Sequence, residues 1–124
     1  MDAAAKLAIL CGLGFRLRVT PSQIDTRTTA RLAPEDFREA RLRGGTIRQI
    51  AHAEYDRERF SLLAWVAPTF VPLASLFARA IGPENAAVIT GAYAGEITIT
   101  GPGAGGDATA VAAIGDLVAI ARDR

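Results

Sequence analysis

The sequence predicts an α+β fold: a four-stranded, mostly antiparallel sheet with helices packed on one face. Three observations predict it. Two pairs of short runs rich in β-branched or aromatic residues, 46–54 with 60–67 and 86–90 with 96–100, are each joined by a turn-forming stretch, the pattern of hairpins. A helix-like segment follows each pair, so the order β-β-α occurs twice, as in layers whose helices are segregated to one side of an antiparallel sheet. The chain has 124 residues, 50% apolar and 22% charged, the size and balance of one globular domain, so 1–124 reads as a single domain.

Taken in order, the elements follow α-α-ββα-ββα. Residues 2–15 form a helix, with Asp2 as N-cap or first-turn acid and Ala3, Ala4, Leu7, Ala8 and Cys11 along one apolar face. Gly12 and Gly14 weaken its end. The stretch 16–33 has no period and contains Pro21, which marks a surface connection. Pro34, followed by Glu35 and Asp36, opens a helix that the Gly44-Gly45 pair stops, spanning about 34–43. The first hairpin turns at Asp56-Arg57-Glu58-Arg59. Pro68 and Pro72 then lead out into a short helix over 73–80. In the second hairpin the turn runs from Gly91 to Gly95, and the glycine-rich loop 101–106 precedes a helix from Asp107, its cap, to about Arg122. The two ββα units share element order and no sequence identity. Trp65, Phe60, Tyr55, Phe70 and Phe77 fall where sheet and helices pack, and read as core.

Charge and composition exclude several classes. The 14 basic residues stand against 13 acids, for a net charge of +1. The most basic stretch, 16–59, has ten arginines among seven acids, without the clean stripe a nucleic-acid surface needs. The apolar stretches near Leu7–Phe15 and Ala108–Ala121 fall short of the roughly 20 residues a membrane span requires, the second being broken by Asp116. An acid at position 2, where a secretory signal carries positive charge, argues against a signal peptide. One cysteine and one histidine leave no Cys/His zinc site and no internal disulfide, so no metal ligand is assigned and a reduced, cytoplasmic setting is expected.

Three groupings can carry chemistry. Thirteen of the basic residues are Arg, and Lys6 is the one Lys. Arginine is permanently charged, whereas an ammonium changes its proton state when desolvated, so Lys6 is the candidate for acid–base work. Asp2 lies four residues before it, on the same helix face, where its carboxylate orients the ammonium. The competing reading is an ordinary surface ion pair worth about 0.3–0.5 kcal/mol. Second, Gly101-Pro102-Gly103-Ala104-Gly105-Gly106 matches G-x-G-x-x-G between a strand and a helix. A Rossmann unit needs a further parallel strand with an acid about 20 positions on, for which no room follows here. What remains is a backbone that a ligand can approach closely, or a tight strand-to-helix turn. Third, Cys11 and His52 are the sole thiol and imidazole, a candidate nucleophilic dyad; yet Cys11 lies in line with Leu7, where a structural cysteine is the better reading.

The segment Asp2-Ala3-Ala4-Ala5-Lys6-Leu7-Ala8-Ile9-Leu10 resembles the D-A-x-x-K-L-A-I-L motif of homoserine dehydrogenases. Gly101 to Ala110 resembles their G-P-G-A-G-x-x-x-T-A loop and helix, and Gly82-Pro83-Glu84-Asn85-Ala86 resembles their G-x-x-N-A turn, all in the family's order over essentially the whole chain. The resemblance implies NAD(P)-dependent interconversion of aspartate semialdehyde and homoserine, on the way to threonine and methionine. It places Asp2 and Lys6 at the substrate, with Lys6 handing over a proton, and Gly103, Gly105 and Thr109 by the cofactor. It also implies a homodimer. The family's Rossmann domain, a further substrate lysine and an acid ahead of the first motif have no counterpart here, Arg16 stands where relatives have a small residue, and Cys11 where many have Ala. The expectation is therefore an excised or engineered substrate and dimerisation domain, inactive alone and without tight cofactor binding. The alternative is a scaffold or binding module, with or without a Cys11/His52 thiol-hydrolase dyad.

Overall fold

The computed structural model describes residues 2–123. The helices are α1 (Asp2–Phe15), α2 (Pro34–Leu42), α3 (Leu76–Arg79) and α4 (Gly106–Arg122), and the strands β1 (Asp25–Thr26), β2 (Gly45–Asp56), β3 (Ser61–Pro72), β4 (Glu84–Gly91) and β5 (Gly95–Pro102). The class is α+β, as expected. The single four-stranded sheet is not what forms: β1-β3-β2 make one sheet and β4-β5 another. The chain divides into two compact units, one up to Leu73 and one from Ala74 onward.

In the first unit, α1 lays Ala4, Leu7, Ala8 and Cys11 on the sheet, where they meet Ile24, Ala64 and Val66. These positions recur at the helical period, which is why the helix docks by this face. Val66 is fully enclosed (0% exposed) because β3 is central: β2 lies antiparallel on one side and β1 parallel on the other. The stretch 16–33, expected to be a plain connection, thus supplies a strand. The two residues Asp25 and Thr26 pair with Trp65 and Val66, and the Arg27 amide donates to the Val66 carbonyl at 2.8 Å.

Pro68 and Pro72 do not end the hairpin; both lie within β3. The Val66 carbonyl points toward β1, so the backbone of Pro68, two residues on, points to the same side. There β1 has already ended, and the missing N–H costs no ladder bond. Strand β2 runs correspondingly to Gly45, paired with Pro72. At the other end of this hairpin the Asp56 carboxylate accepts from the amides of Glu58 and Arg59 at 2.9 and 3.0 Å, and Phe60 takes a left-handed φ of 51°. Helix α2 starts as expected on Pro34, with Asp36 reaching back to accept from the Ala33 amide at 2.7 Å. It packs by Ala40 above Ile47, Pro68 and Phe70, and the Arg43 guanidinium caps the Phe70 ring at 4.6 Å.

The aromatic residues do not make the core. Phe60 is exposed at the turn, Tyr55 pairs with Phe15 at 5.8 Å, and Trp65 lies half-buried on the sheet face away from α1. The space under a closely laid helix suits Ala and Val rather than rings.

In the second unit, β4 and β5 form a hairpin with Ile89 opposite Ile97 and Ala87 opposite Ile99, closed by Gly91 and Gly95 around Tyr93. The helix expected at 73–80 shrinks to the four residues of α3, begun by the Ser75 hydroxyl accepting from the Phe77 amide. Helix α4 begins one residue earlier than expected: Gly105, at φ 133°, is its N-cap, and Asp107 is a first-turn acid rather than the cap. Among the described residues, none of α4 is buried.

Candidate functional site

Lys6 and Asp2 are brought together. Burying Ala4, Leu7, Ala8 and Cys11 turns the opposite side of α1 outward, and on it the Lys6 ammonium lies 2.8 Å from the Asp2 carboxylate. Both groups are open to solvent, 65% and 80% exposed, so the pair contributes little to stability. Solvent access also leaves both free to meet a ligand. The same outward face continues as Ile9, Leu10 and Leu13, all exposed, so the charged pair stands at the head of an apolar strip.

The glycine-rich loop is built in the second unit. Beyond Pro102 the β4–β5 ladder ends, and the Gly103 amide donates to the Pro83 carbonyl at 2.7 Å. Gly105 takes a φ of 133° that only glycine adopts without strain, and no atom lies within 4 Å of where a side chain on Gly105 or Gly106 would begin. Thr109 fixes this turn twice, its amide donating to the Gly105 carbonyl at 3.0 Å and its hydroxyl at 2.9 Å. The loop thus offers bare backbone beside the first amides of α4, which lack intrahelical acceptors. Asp107 adds a carboxylate in that first turn, favourable to the helix dipole and unfavourable to a phosphate. The opening suits the uncharged part of a ligand.

Cys11 and His52 are not brought together. Cys11 is 1% exposed in the core beneath α1, and burial pushes its thiol above the ordinary value. His52 pairs across the strands with Trp65 and stacks on its indole, centroids 5.3 Å apart, with Glu54 at 3.9 Å. Because Ala53, the next residue, packs against the core beneath α1, alternation along β2 sends His52 to the other face. No dyad forms. No cluster of His, Cys, Asp and Glu fit to hold a metal ion occurs among the described residues, and no helix among them is long and apolar enough to cross a membrane. The residue that sequence reasoning left without a role is Asn85, whose carboxamide lies against Gly103. Asn85 belongs to the G-x-x-N-A turn, and the strand register opposite Gly101 is what brings it to the loop.

Solved structures that share this fold include homoserine dehydrogenases. One from Thiobacillus denitrificans, a homoserine dehydrogenase, matches with a TM-score of 0.85 and 32% identity over 94% of this chain and 27% of that one. The Staphylococcus aureus homoserine dehydrogenase matches with a TM-score of 0.83 and 28% identity over 97% of this chain and 30% of that one. The class is thus a domain of α+β architecture that homoserine dehydrogenases contain. The model of the homoserine dehydrogenase family matches residues 1–118, and the chain belongs to that family. The homoserine dehydrogenase of Mycobacterium tuberculosis is 39% identical over 126 residues, covering 99% of this chain and 29% of the relative. That of Bacillus subtilis is 31% identical over 123 residues, covering 99% and 28%. The chain therefore spans less than a third of the length of these relatives.

Proposed function

We propose that this chain supplies the substrate-side groups of an NAD(P)-dependent homoserine dehydrogenase, which interconverts aspartate semialdehyde and homoserine on the way to threonine and methionine. The observation that carries this reading is the Asp2–Lys6 pair, exposed on α1 within the family's motif. In the reducing direction a hydride for the aldehyde carbon would come from NAD(P)H, if bound. Lys6 donates a hydrogen bond to the aldehyde oxygen, and its Nζ proton passes to that oxygen as negative charge develops there. Asp2 aims the ammonium, and restores its orientation after the proton is replaced from solvent. In the oxidising direction neutral Lys6 takes the hydroxyl proton of homoserine.

The loop residues fit a cofactor's uncharged end. Gly105 and Gly106 present open backbone next to Asp107, held between Gly103 and Thr109, a setting for a nicotinamide ribose rather than for a pyrophosphate. The phosphates are then held by a nucleotide-binding domain of the family type, and this chain alone neither binds the dinucleotide tightly nor turns over. We also assign it a homodimer: β2, β4 and β5 have free edges within their sheets, and Ile89, Ile97, Val111, Ile114 and Leu117 are exposed. A reduced cytoplasmic setting accords with the free thiol of Cys11.

The test mixes this chain with a separately produced homoserine dehydrogenase nucleotide-binding domain and follows NADPH oxidation by aspartate semialdehyde. Turnover with both partners and with neither alone is the expected result. No turnover of the mixture contradicts the assignment, and turnover by this chain alone contradicts its dependence on a second domain. A monomer by light scattering at micromolar concentration contradicts the dimer.

A further inference from the structure

Two of the three motifs have a role in the reading above; the third, around Asn85, has none. We propose that Asn85 is a positioning residue that sets the backbone of the glycine-rich loop by occupying the place of a side chain at Gly103. The proposal rests on the loop's assignment to the cofactor.

The strand register brings the two together. Asn85 lies opposite Gly101 and Glu84 opposite Pro102, the last pair of the ladder. From Gly103 on, the backbone has no strand partner and needs other restraints. One is the bond from the Gly103 amide to the Pro83 carbonyl at 2.7 Å. The second is steric: a Cβ on Gly103 would lie 1.8 Å from Asn85 Nδ2, 2.2 Å from Cγ and 2.7 Å from Oδ1. The carboxamide therefore fills the volume beside Gly103, and the glycine is required by Asn85 rather than by its own φ. The third is the pair of hydrogen bonds that the Thr109 amide and hydroxyl donate to the Gly105 carbonyl. The restraints fall on either side of Ala104, so Gly105 and Gly106, whose outward side is open, are held from both ends. A loop that must present bare backbone to a ligand gains from being fixed beforehand, because the ordering cost is then not met on binding. Asn85 acts through Gly103 and needs no contact with the cofactor.

The test uses the full 124-residue chain, isotopically labelled, and reads amide exchange and shifts by NMR. In Asn85→Ala the Gly103 amide is expected to exchange about tenfold faster, the effect of weakening one hydrogen bond, and the Gly105 and Gly106 amides to shift. Gly103→Ala, which displaces the carboxamide, is expected to give the same pattern, and the double variant no more than either single one. Asn85→Asp, of equal shape, should restore the parent exchange rate. The strand amides of Ile89 and Ile97 should stay unchanged in all four, because a merely structural role would move them too. Unchanged exchange at Gly103 in Asn85→Ala, additive effects in the double variant, or acceleration spread evenly over β4 and β5 overturns the proposal. NADPH is then added with the nucleotide-binding domain. The parent chain should show shifts at Gly105 and Gly106, and Asn85→Ala should need several-fold more NADPH to show them. If the exchange pattern holds but the parent amides ignore NADPH, the cofactor assignment fails rather than the clamp. If the parent responds and Asn85→Ala responds equally well, the positioning role is refuted.

Discussion

Which face of α1 is docked decides where Lys6 points, and Leu7→Ala tests it. Leu7 is 5% exposed among Ala4, Ala8, Cys11, Ala64 and Val66, whereas Leu10, on the other side of the same helix, is 57% exposed. Truncation to Ala removes three carbons, about 2.4 kcal/mol at ~0.8 kcal/mol per methylene. The neighbours are short and cannot fill the gap, so a residual cavity brings the cost to about 3 kcal/mol, inside the usual ~2–5 kcal/mol for buried leucine. Leu10→Ala, removing the same atoms from an exposed site, should cost within about 0.5 kcal/mol. Trp65, the single tryptophan, lies on β3 in the same unit and reports its unfolding by fluorescence. At a urea slope of about 1.5 kcal/mol/M, Leu7→Ala should lower the midpoint by about 2 M and Leu10→Ala by less than about 0.4 M. Equal shifts, or a larger one for Leu10→Ala, would mean that α1 docks by another face, and the exposure of the Asp2–Lys6 pair would no longer follow.

Cys11 should resist iodoacetamide at neutral pH in the folded chain and react promptly in urea, since burial keeps the thiol protonated; fast labelling without denaturant contradicts the packing. The same upward shift makes stability pH-dependent: the unfolded thiol releases its proton first, so the folded state is fully favoured below the ordinary thiol pKa and loses stability as pH rises through it toward the higher folded value. Cys11→Ala should flatten that fall. Arg16 follows α1 at φ 57°, where glycine carries no penalty, so Arg16→Gly should raise stability by about 0.5–1 kcal/mol in urea titrations. A Cβ on Gly45 would lie 2.4 Å from the Phe70 ring, so Gly45→Ala should cost about 1–3 kcal/mol, and less in a Phe70→Leu background.

What the sequence revealed was local. The period of Ala4, Leu7, Ala8 and Cys11 and the Pro34 and Asp36 start signals fixed α1 and α2, and the i,i+4 spacing of Asp2 and Lys6 placed both on one face. Sheet membership was hidden because it depends on distant partners. Asp25 and Thr26 carry no alternation, yet they make β3 central, and they leave the edge on which Pro68 is tolerated. Glycine spacing located the loop but not its restraint, since Asn85 meets Gly103 only after β4 and β5 pair in this register. The pairing of Cys11 with His52 failed on strand alternation, which depends on register and not on spacing.

The proposed function turns on Lys6 as a proton donor rather than a mere positive charge. Lys6→Arg keeps the charge and the ion pair with Asp2 but presents a guanidinium that stays protonated, which prevents transfer. In the chain mixed with a nucleotide-binding domain, steady-state kinetics of NADPH-dependent aspartate semialdehyde reduction should show kcat lowered by about 10²–10⁴-fold, the range for general acid–base groups, with unfolding midpoints unchanged. Retention of kcat within about threefold in Lys6→Arg would contradict the proton-transfer role, because a loss of general acid catalysis is at least about tenfold larger than that.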